Sequence, residues 1–477
     1  MHAVKPPGPE SVLNGLSGSV ILGLLGSAAA PASLGHKLVD AWNALSEGTT
    51  RRDALANRVR VAAGRSGEQE WEQMLAALAG EGLLTLSVES KRSRQATWRP
   101  LVPGAGLAPD RFDPAGAYVL SRFACIRRLD ATLIMECPLG QARIDMHDPR
   151  CLALLGFLAT PTTQEEFALR CDWMEPASAC DLFRFLHLSV ALTLASPGGG
   201  TSEDQDPGRA QWEFHDLFFH SRSRGGRHAD VAGGTYRHLG IWPAAPAVRP
   251  AHAGEVIGLA RPELAVDTGS RTSLAAVLEA RKSTRIQGLN RLTLGQIGEF
   301  LFRCARVRHR YFGRLRNPEN TVSERVEMTS RPYPGAGGAY PLELYLTVTA
   351  CDCLEPGMYH YDPVAHALTC LGPMTEARRT LLQDAAASYG GEATTQLLIT
   401  IASRFERLSW KYSNMAYSSC LKEAGVLLQN MYLVATEMGL GSCALGYGNA
   451  EVFARAAGTD PLREGSIAEF ILGTAPA

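Results

Sequence analysis

No excess charge of either sign marks this sequence: 47 Lys and Arg against 48 Asp and Glu leave a formal net charge of -1 over 477 residues. That balance excludes recruitment of nucleic acid or acidic lipid by a field of the whole molecule, and leaves such partners only to a local patch. The eleven cysteines include no CxxC pair and no Cys/His cluster at zinc spacing. Their odd number and scatter point to free thiols in a reducing cytoplasm, with no metal site. The one close pair, Cys351 and Cys353, has a spacing that suits neither zinc nor thioredoxin-like chemistry. Long apolar runs are missing too, since no stretch reaches the ~18 uninterrupted apolar residues that suggest a membrane span. "SVILGLLGSAAAPA" near the N-terminus lacks a basic lead and is rich in Gly and Ala, so it reads as a buried strand and turn, not a signal peptide. The chain is therefore expected in the cytoplasm, with no membrane partner.

What is present is length enough for two to four domains. "LVDAWNAL", "TTRRDALANRV" and "EQEWEQMLAALAGEGLLTLSVES" read helix, helix, helix, strand, strand, with Gly80 and Gly82 near the last helix's end. This order suits a winged-helix-like domain over residues 1–108. The Pro/Gly-rich "RPLVPGAGLAPDRFDP" follows as a linker. Strands at "YVLSRFACIRRL", "TLIMECPLG" and "QARIDMHD", then helices at "PRCLALLGFLAT", "TQEEFALRC" and "ASACDLFRFLHLSVALTLA", give a second such domain over 109–198. "SPGGGTSEDQDPGRA" is Gly-rich, acidic and nearly without apolar residues, which marks the strongest boundary. A linker and lead-in helix, "WEFHDLFFHSRSRGGRH", occupy 199–249.

From about residue 250 to 477 helices alternate with strands: helices at "SLAAVLEARKS", "TLGQIGEFLFRCARV" and "TEARRTLLQDAAAS", strands at "PLELYLTVTA", "TTQLLITIAS" and "AEFILGTA", and a hairpin from "GMYHYDP" to "ALTCLG". The fold class is α+β, a central sheet covered by helices. Three features could carry chemistry. Arg281, Ser283 and Arg285 close a helix; they suit a phosphate, or equally a solvated terminus with cations at the negative end of the helix dipole. Pro334, Gly335, Ala336, Gly337 and Gly338 form a loop before a strand, where glycines let backbone approach something flat or anionic, though without Walker or dinucleotide spacing. Lys411 and Tyr412 precede a long helix whose Ala416, Cys420, Ala424, Leu427, Met431, Val434 and Met438 form an apolar stripe interrupted by Gln429 and Asn430. Gly439, Gly441, Gly446 and Gly448 then read as a flexible turn.

Taken in order, "RKSTR", "RPYPGAGGAYPLELYL", "GMYHYDP", "KYSNMAYSSCLKEAGVLLQNMYLVATEMGLGSCALG" and "AEFILG" resemble the SagB-type peptide dehydrogenases of the nitroreductase superfamily over residues 250–477. "HDLFFHSRSRGGRH" and "GGTYRHLG" resemble the segment that leads into that domain. The resemblance implies a homodimeric enzyme with FMN at the subunit interface. It implies oxidation of thiazoline or oxazoline to thiazole or oxazole in a ribosomally made, post-translationally modified peptide, with O2 reoxidising the flavin. It assigns Arg281, Ser283 and Arg285 to the FMN phosphate and ring edge, and Pro334 to Gly338 to the flavin face from the partner chain. Gln429 goes to the flavin or ribityl oxygens, and Ala444, Leu445 and Gly446 to the pyrimidine side. Gly335 stands where such proteins often have Ser, and "EFILGTAPA" offers no basic residue for the phosphate. Lys411 and Tyr412 fall on the catalytic pair. Here residue chemistry agrees: aromatisation needs a base beside an electron sink, and either a tyrosine next to a cation or a buried lysine supplies one.

The two N-terminal domains would clamp a leader peptide by adding a strand to a sheet edge, or else extend the dimer or dock a cyclodehydratase. Six arginines between Arg303 and Arg316 read as a solvated helix end and loop, with no nucleic-acid signature beside them. Two other readings stand next to azoline oxidation: a flavoenzyme of the same fold acting on another peptide or carrier-bound substrate, or as an NAD(P)H-dependent nitro or quinone reductase, and a non-catalytic peptide-binding scaffold.

Overall fold

Seven antiparallel strands build the N-terminal sheet, in the order Thr50–Arg51, Ile21–Leu24, Leu84–Ser90, Ser93–Pro100, Ala142–Met146, Thr132–Glu136 and Cys125–Leu129. The computed structural model describes residues 13, 16–25, 36–102, 112–228, 233–263, 272–317, 321–391 and 395–476. The end of the N-terminal apolar stretch (26–32) and most of the first Pro/Gly linker (103–111) lie outside them. Ile21–Leu24 is the strand expected in the apolar stretch.

Helix Arg52–Gly80 runs through the second and third expected helices, with a break at Gly64, whose φ of 68° only glycine adopts cheaply. Helix Pro176–Leu188 starts with proline, whose missing N–H costs nothing there, and buries Phe183, Phe185 and Leu186 completely. Trp71, Trp98, Phe123 and Phe167 join them in one core.

The boundary expected at 108/109 does not divide this region. Ser93–Pro100 pairs with Ala142–Met146, Trp98 opposite Ile144, so both expected winged-helix-like halves share one sheet and one core. The boundary expected after 198 also shifts, because the chain divides into units Met1–Ala229 and Asp230–Ala477. The Gly-rich acidic segment is tied to the first unit by Glu203, which is buried and accepts from Ser121 Oγ at 2.5 Å. A composition poor in apolar residues thus conceals one buried anchor. The lead-in helix, Phe214–Arg222, belongs to the same unit.

In the second unit, seven antiparallel strands run in the order Val256–Gly258, Ala367–Pro373, Gly357–Asp362, Leu342–Val348, Leu397–Arg404, Glu464–Thr474 and Leu440–Leu445. Leu397–Arg404 is buried at all eight positions, which explains its run of apolar residues in place of alternation. Leu397, Ile399 and Ile401 face helices Leu294–Ala305 and Ala416–Glu437; Leu398 and Ala402 face helices Glu376–Ser388 and Ala450–Ala457. Truncating Ile399 to alanine would cost about 2–5 kcal/mol.

Leu440–Leu445 corrects the expectation of a flexible turn. Gly439, at φ 67°, ends the helix, but Gly441 sits in the strand opposite Gly473. A Cβ at Gly441 would lie 3.0 Å from Thr474 O, so close approach, not flexibility, selects glycine there. The arginine-rich stretch is likewise no loop: His309–Arg316 pairs with Ser323–Ser330 as a largely exposed hairpin. Arg310 there pairs with Glu327, and Arg303, at the end of the preceding helix, pairs with Glu437.

Candidate active site

Register brings two of the three expected features together. Leu342 stands opposite Ser403, so the loop before Leu342–Val348 and the turn after Leu397–Arg404 emerge at the same end of the sheet. Pro332 and Pro334 stop the preceding strand, and Gly337 and Gly338 take left-handed φ values of 56° and 70° that curl the chain back. Across from this loop, short helix Glu406–Ser409 turns through Trp410–Met415 into the long helix Ala416–Glu437, and Lys411 and Tyr412 lie in that turn.

Lys411 Nζ donates to Gly337 O at 3.1 Å and lies over the rings of Tyr412 and Tyr236, at 5.2 and 5.7 Å. A Cβ on Gly337 would fall 2.6 Å from the Tyr412 hydroxyl and closer still to Lys411 Nζ. Segment 233–249 encloses the turn: Tyr236 N–H donates to Lys411 O at 3.1 Å, Thr235 and Ser413 hydroxyls meet at 2.7 Å, and Trp410 Nε1 donates to Trp242 O at 2.7 Å.

Electrostatics separate the two neighbours. Burial, then the charge of Arg407, pushes the Lys411 ammonium below its usual range and so toward neutral amine. Burial, then Tyr236 and Glu423, pushes the Tyr412 phenol up, away from phenolate. Both side chains are thus held away from their charged forms. Under the loop, Glu423 Oε1 accepts from Ala336 N–H at 2.6 Å, while Arg407 donates to Ala339 O at 3.0 and 2.8 Å. Gly335 also packs tightly, since a Cβ there would lie 2.8 Å from the Tyr340 ring. A serine at that position would displace the tyrosine.

The third feature forms a separate group. Ser283 Oγ and Tyr432 Oη meet at 2.9 Å, Ala444 N–H donates to the same hydroxyl at 2.7 Å, and Arg281 lies over the Tyr432 ring at 5.3 Å. Arg285 is exposed, and neither arginine has a carboxylate partner within 4 Å among the described residues. A cavity of about 380 Å3 opens beside Leu445 and Gly446, lined also by Leu421, Gly425, Tyr447 and Glu469. Gln429 is exposed and its side chain makes no hydrogen bond among the described residues; its neighbour Asn430 donates to Cys304 O at 3.1 Å. Glu423 and Tyr432 mark the two groups on one helix, about 13 Å apart at 1.5 Å per residue.

Tyr236, Arg407, Glu423 and Tyr432 were not singled out from sequence. Glu423 had a signal: it is a carboxylate beside the apolar stripe, one position before Ala424, and it proves buried. Arg407 and Tyr432 had none, because their partners lie 68 and 149 residues away.

Two family models match the chain: the cyanobactin oxidase ThcOx family over residues 118–229, and the nitroreductase family over 279–474. The nitroreductase MJ1384 of Methanocaldococcus jannaschii is 30% identical over 173 residues, 36% of this chain and 78% of that protein. The microcin B17-processing protein McbC of Escherichia coli is 31% identical over 119 residues, 23% of this chain and 42% of that protein. Among solved structures, a Ralstonia eutropha nitroreductase aligns over 50% of this chain and 97% of its own at 23% identity, with a TM-score of 0.36. The E. coli microcin synthetase McbBCD complex with truncated pro-MccB17 aligns over 45% and 79% at 20% identity, with a TM-score of 0.33.

Proposed function

We propose that this chain, which belongs to the nitroreductase family, is an oxidoreductase that dehydrogenates thiazoline or oxazoline rings of a ribosomally made, modified peptide to thiazole or oxazole. FMN is the proposed cofactor and O2 the final acceptor of the two hydrogens removed. The observation that carries the peptide substrate is the joining of two matches in one chain: a cyanobactin oxidase segment at 118–229 ahead of a nitroreductase domain at 279–474. The likeness to McbC, over less than half of that protein, points the same way.

The donor set near Tyr432 fits a flavin mononucleotide. Arg281 brings guanidinium charge without a competing carboxylate, on the same tyrosine as the Ser283 hydroxyl, with exposed Arg285 two residues further along the chain, and the set suits a phosphate. The neighbouring cavity at Leu445 and Gly446 falls in the size range of small-ligand sites, about 300–1,000 Å3. When bound, FMN supplies the acceptor for the hydride that leaves the ring. Gln429 is the residue proposed to reach the flavin or ribityl oxygens, and the glycine loop sits with Lys411 instead of with Tyr432. A homodimer would supply what one chain separates, with the Pro334–Gly338 loop of each copy lying against the flavin held by the other. Exposed Tyr417, Leu421 and Val426 on the long helix suit such an interface.

In this reading Lys411, biased toward the amine by burial, takes the proton from the ring carbon next to the peptide backbone. Gly337 O holds the resulting ammonium, and Tyr412 stays protonated and orients the substrate. The N-terminal unit would hold the leader peptide, and a cyclodehydratase would supply the azoline. Removal of the Lys411 side chain tests the assignment. Lys411→Ala is expected to stay folded and yellow yet lose azoline oxidation by about 10²–10⁴-fold, with a smaller loss for Tyr412→Phe. Unchanged turnover of an azoline peptide in both variants would refute it, and rapid bleaching of the flavin by NADPH would favour a reductase.

A further inference from the structure

We infer that Glu423 is a positioning residue: from within the long helix it fixes the glycine loop on which Lys411 rests, and so sets where the amine meets substrate. The inference builds on the role proposed for Lys411. Glu423 Oε1 holds Ala336 N–H at 2.6 Å; one residue on, Gly337 O holds Lys411 Nζ at 3.1 Å; and Arg407 grips Ala339 O at the far end of the loop. A buried anion and a buried cation, 5% and 7% exposed, thus clamp the two ends of a short stretch whose middle carries the lysine.

The carboxylate is costly where it stands. It lies on the buried face of the helix, where an apolar side chain would pack without desolvating a charge. Its Oε2 has no hydrogen-bond partner among the described residues, so its bond to Ala336 N–H is the directed interaction it makes. Burial drives the Glu423 carboxyl up to about 7, against the opposing pull of Ala336 N–H, Arg331 and Arg407. Tyr333, Tyr412 and Cys420 are the other titratable groups that feel its charge. The ionised form is the stronger acceptor for the amide, so the loop is held most tightly above pH 7 and loosens as the carboxyl takes up a proton.

Hydrogen exchange of residues 334–340 in the full chain tests this between about pH 6 and 8, corrected for the intrinsic pH dependence of exchange. Glu423→Ala is expected to raise exchange there about tenfold and to lower kcat by a similar factor at unchanged KM. Glu423→Gln keeps an oxygen for Ala336 N–H, so it should restore most of the protection while abolishing its pH dependence. Wild-type exchange in Glu423→Ala, or an unaltered pH dependence in Glu423→Gln, overturns the inference. Should the alanine variant not fold, the near-isosteric glutamine variant decides alone. Exchange needs no substrate, so failure of azoline oxidation would count against the proposed function and leave this test readable.

Discussion

Substituting alanine for Gly337 should separate folding from catalysis. The added Cβ would stand 2.6 Å from the Tyr412 hydroxyl and closer to Lys411 Nζ, so both groups must give way. Lys411 yields first, because its ammonium ends a flexible side chain while Tyr412 is a 7% exposed ring held in a packed cluster. The backbone part of the folding cost is that of a non-glycine residue at φ 56°, roughly 1–2 kcal/mol. For a unit of this size, that lowers Tm by roughly 2–8 °C. The catalytic cost is larger, since restoring van der Waals distance shifts the amine by about 1 Å, and a misplacement of that size can cost ~10²-fold in rate. Thermal melting and steady-state turnover of an azoline peptide, measured on the same preparation, read the two effects separately. A folded Gly337→Ala protein with kcat of wild-type order would show that Lys411 needs no fixed place on this loop, and would refute the reasoning.

Three further outcomes follow from polar and charged groups of the second unit. Wild-type kcat should rise with pH along a leg set by Lys411, with a midpoint below the ordinary 10.5, and Lys411→Ala should lack that leg. Arg281→Ala should weaken FMN binding by about 10–100-fold in a fluorescence titration, and Tyr432→Phe, which loses the hydroxyl shared by Ser283 and Ala444, by about fivefold; equal affinities would move the phosphate site elsewhere. Burial raises the Glu469 carboxyl from 4.5 to about 7, so the folded state binds this proton more tightly and its stabilisation, complete below pH 4.5, is lost as pH rises through 7. Glu469→Gln should therefore unfold at higher denaturant than wild type above pH 7, by up to about 3 kcal/mol, with the gap closing toward pH 4.5; a constant gap would place the titration elsewhere.

Periodicity made most of the C-terminal sheet legible, because strands such as Leu397–Arg404 and helices such as Leu294–Ala305 carry strong local patterns. Three elements escaped it for different reasons. Leu440–Leu445 begins among glycines that suggested a turn, yet those glycines answer to the neighbouring strand's backbone. His309–Arg316 is too polar to signal a strand, since its sides face solvent and its hold is the ladder to Ser323–Ser330. The single N-terminal sheet was hidden because Ser93–Pro100 pairs with Ala142–Met146 across a Pro/Gly-rich stretch that composition alone marks as a joint.

Of the candidate site, one end of each contact was visible, Lys411, the glycine loop or Ser283, but not the partner that holds it. Lys411 next to Tyr412 suggested two schemes, a cation lowering the phenol beside it or a buried lysine losing its charge, and adjacency in sequence does not choose between them. In the fold, burial acts on both side chains in the direction that disfavours charge, which drives the lysine down and the tyrosine up. The charges that shape the site come instead from residues distant in sequence from the loop they hold, Arg407 at Ala339 O and Glu423 at Ala336 N–H. A base at this position thus depends less on its neighbour in the chain than on the meeting of a strand's beginning with another strand's end, which Leu342 opposite Ser403 enforces.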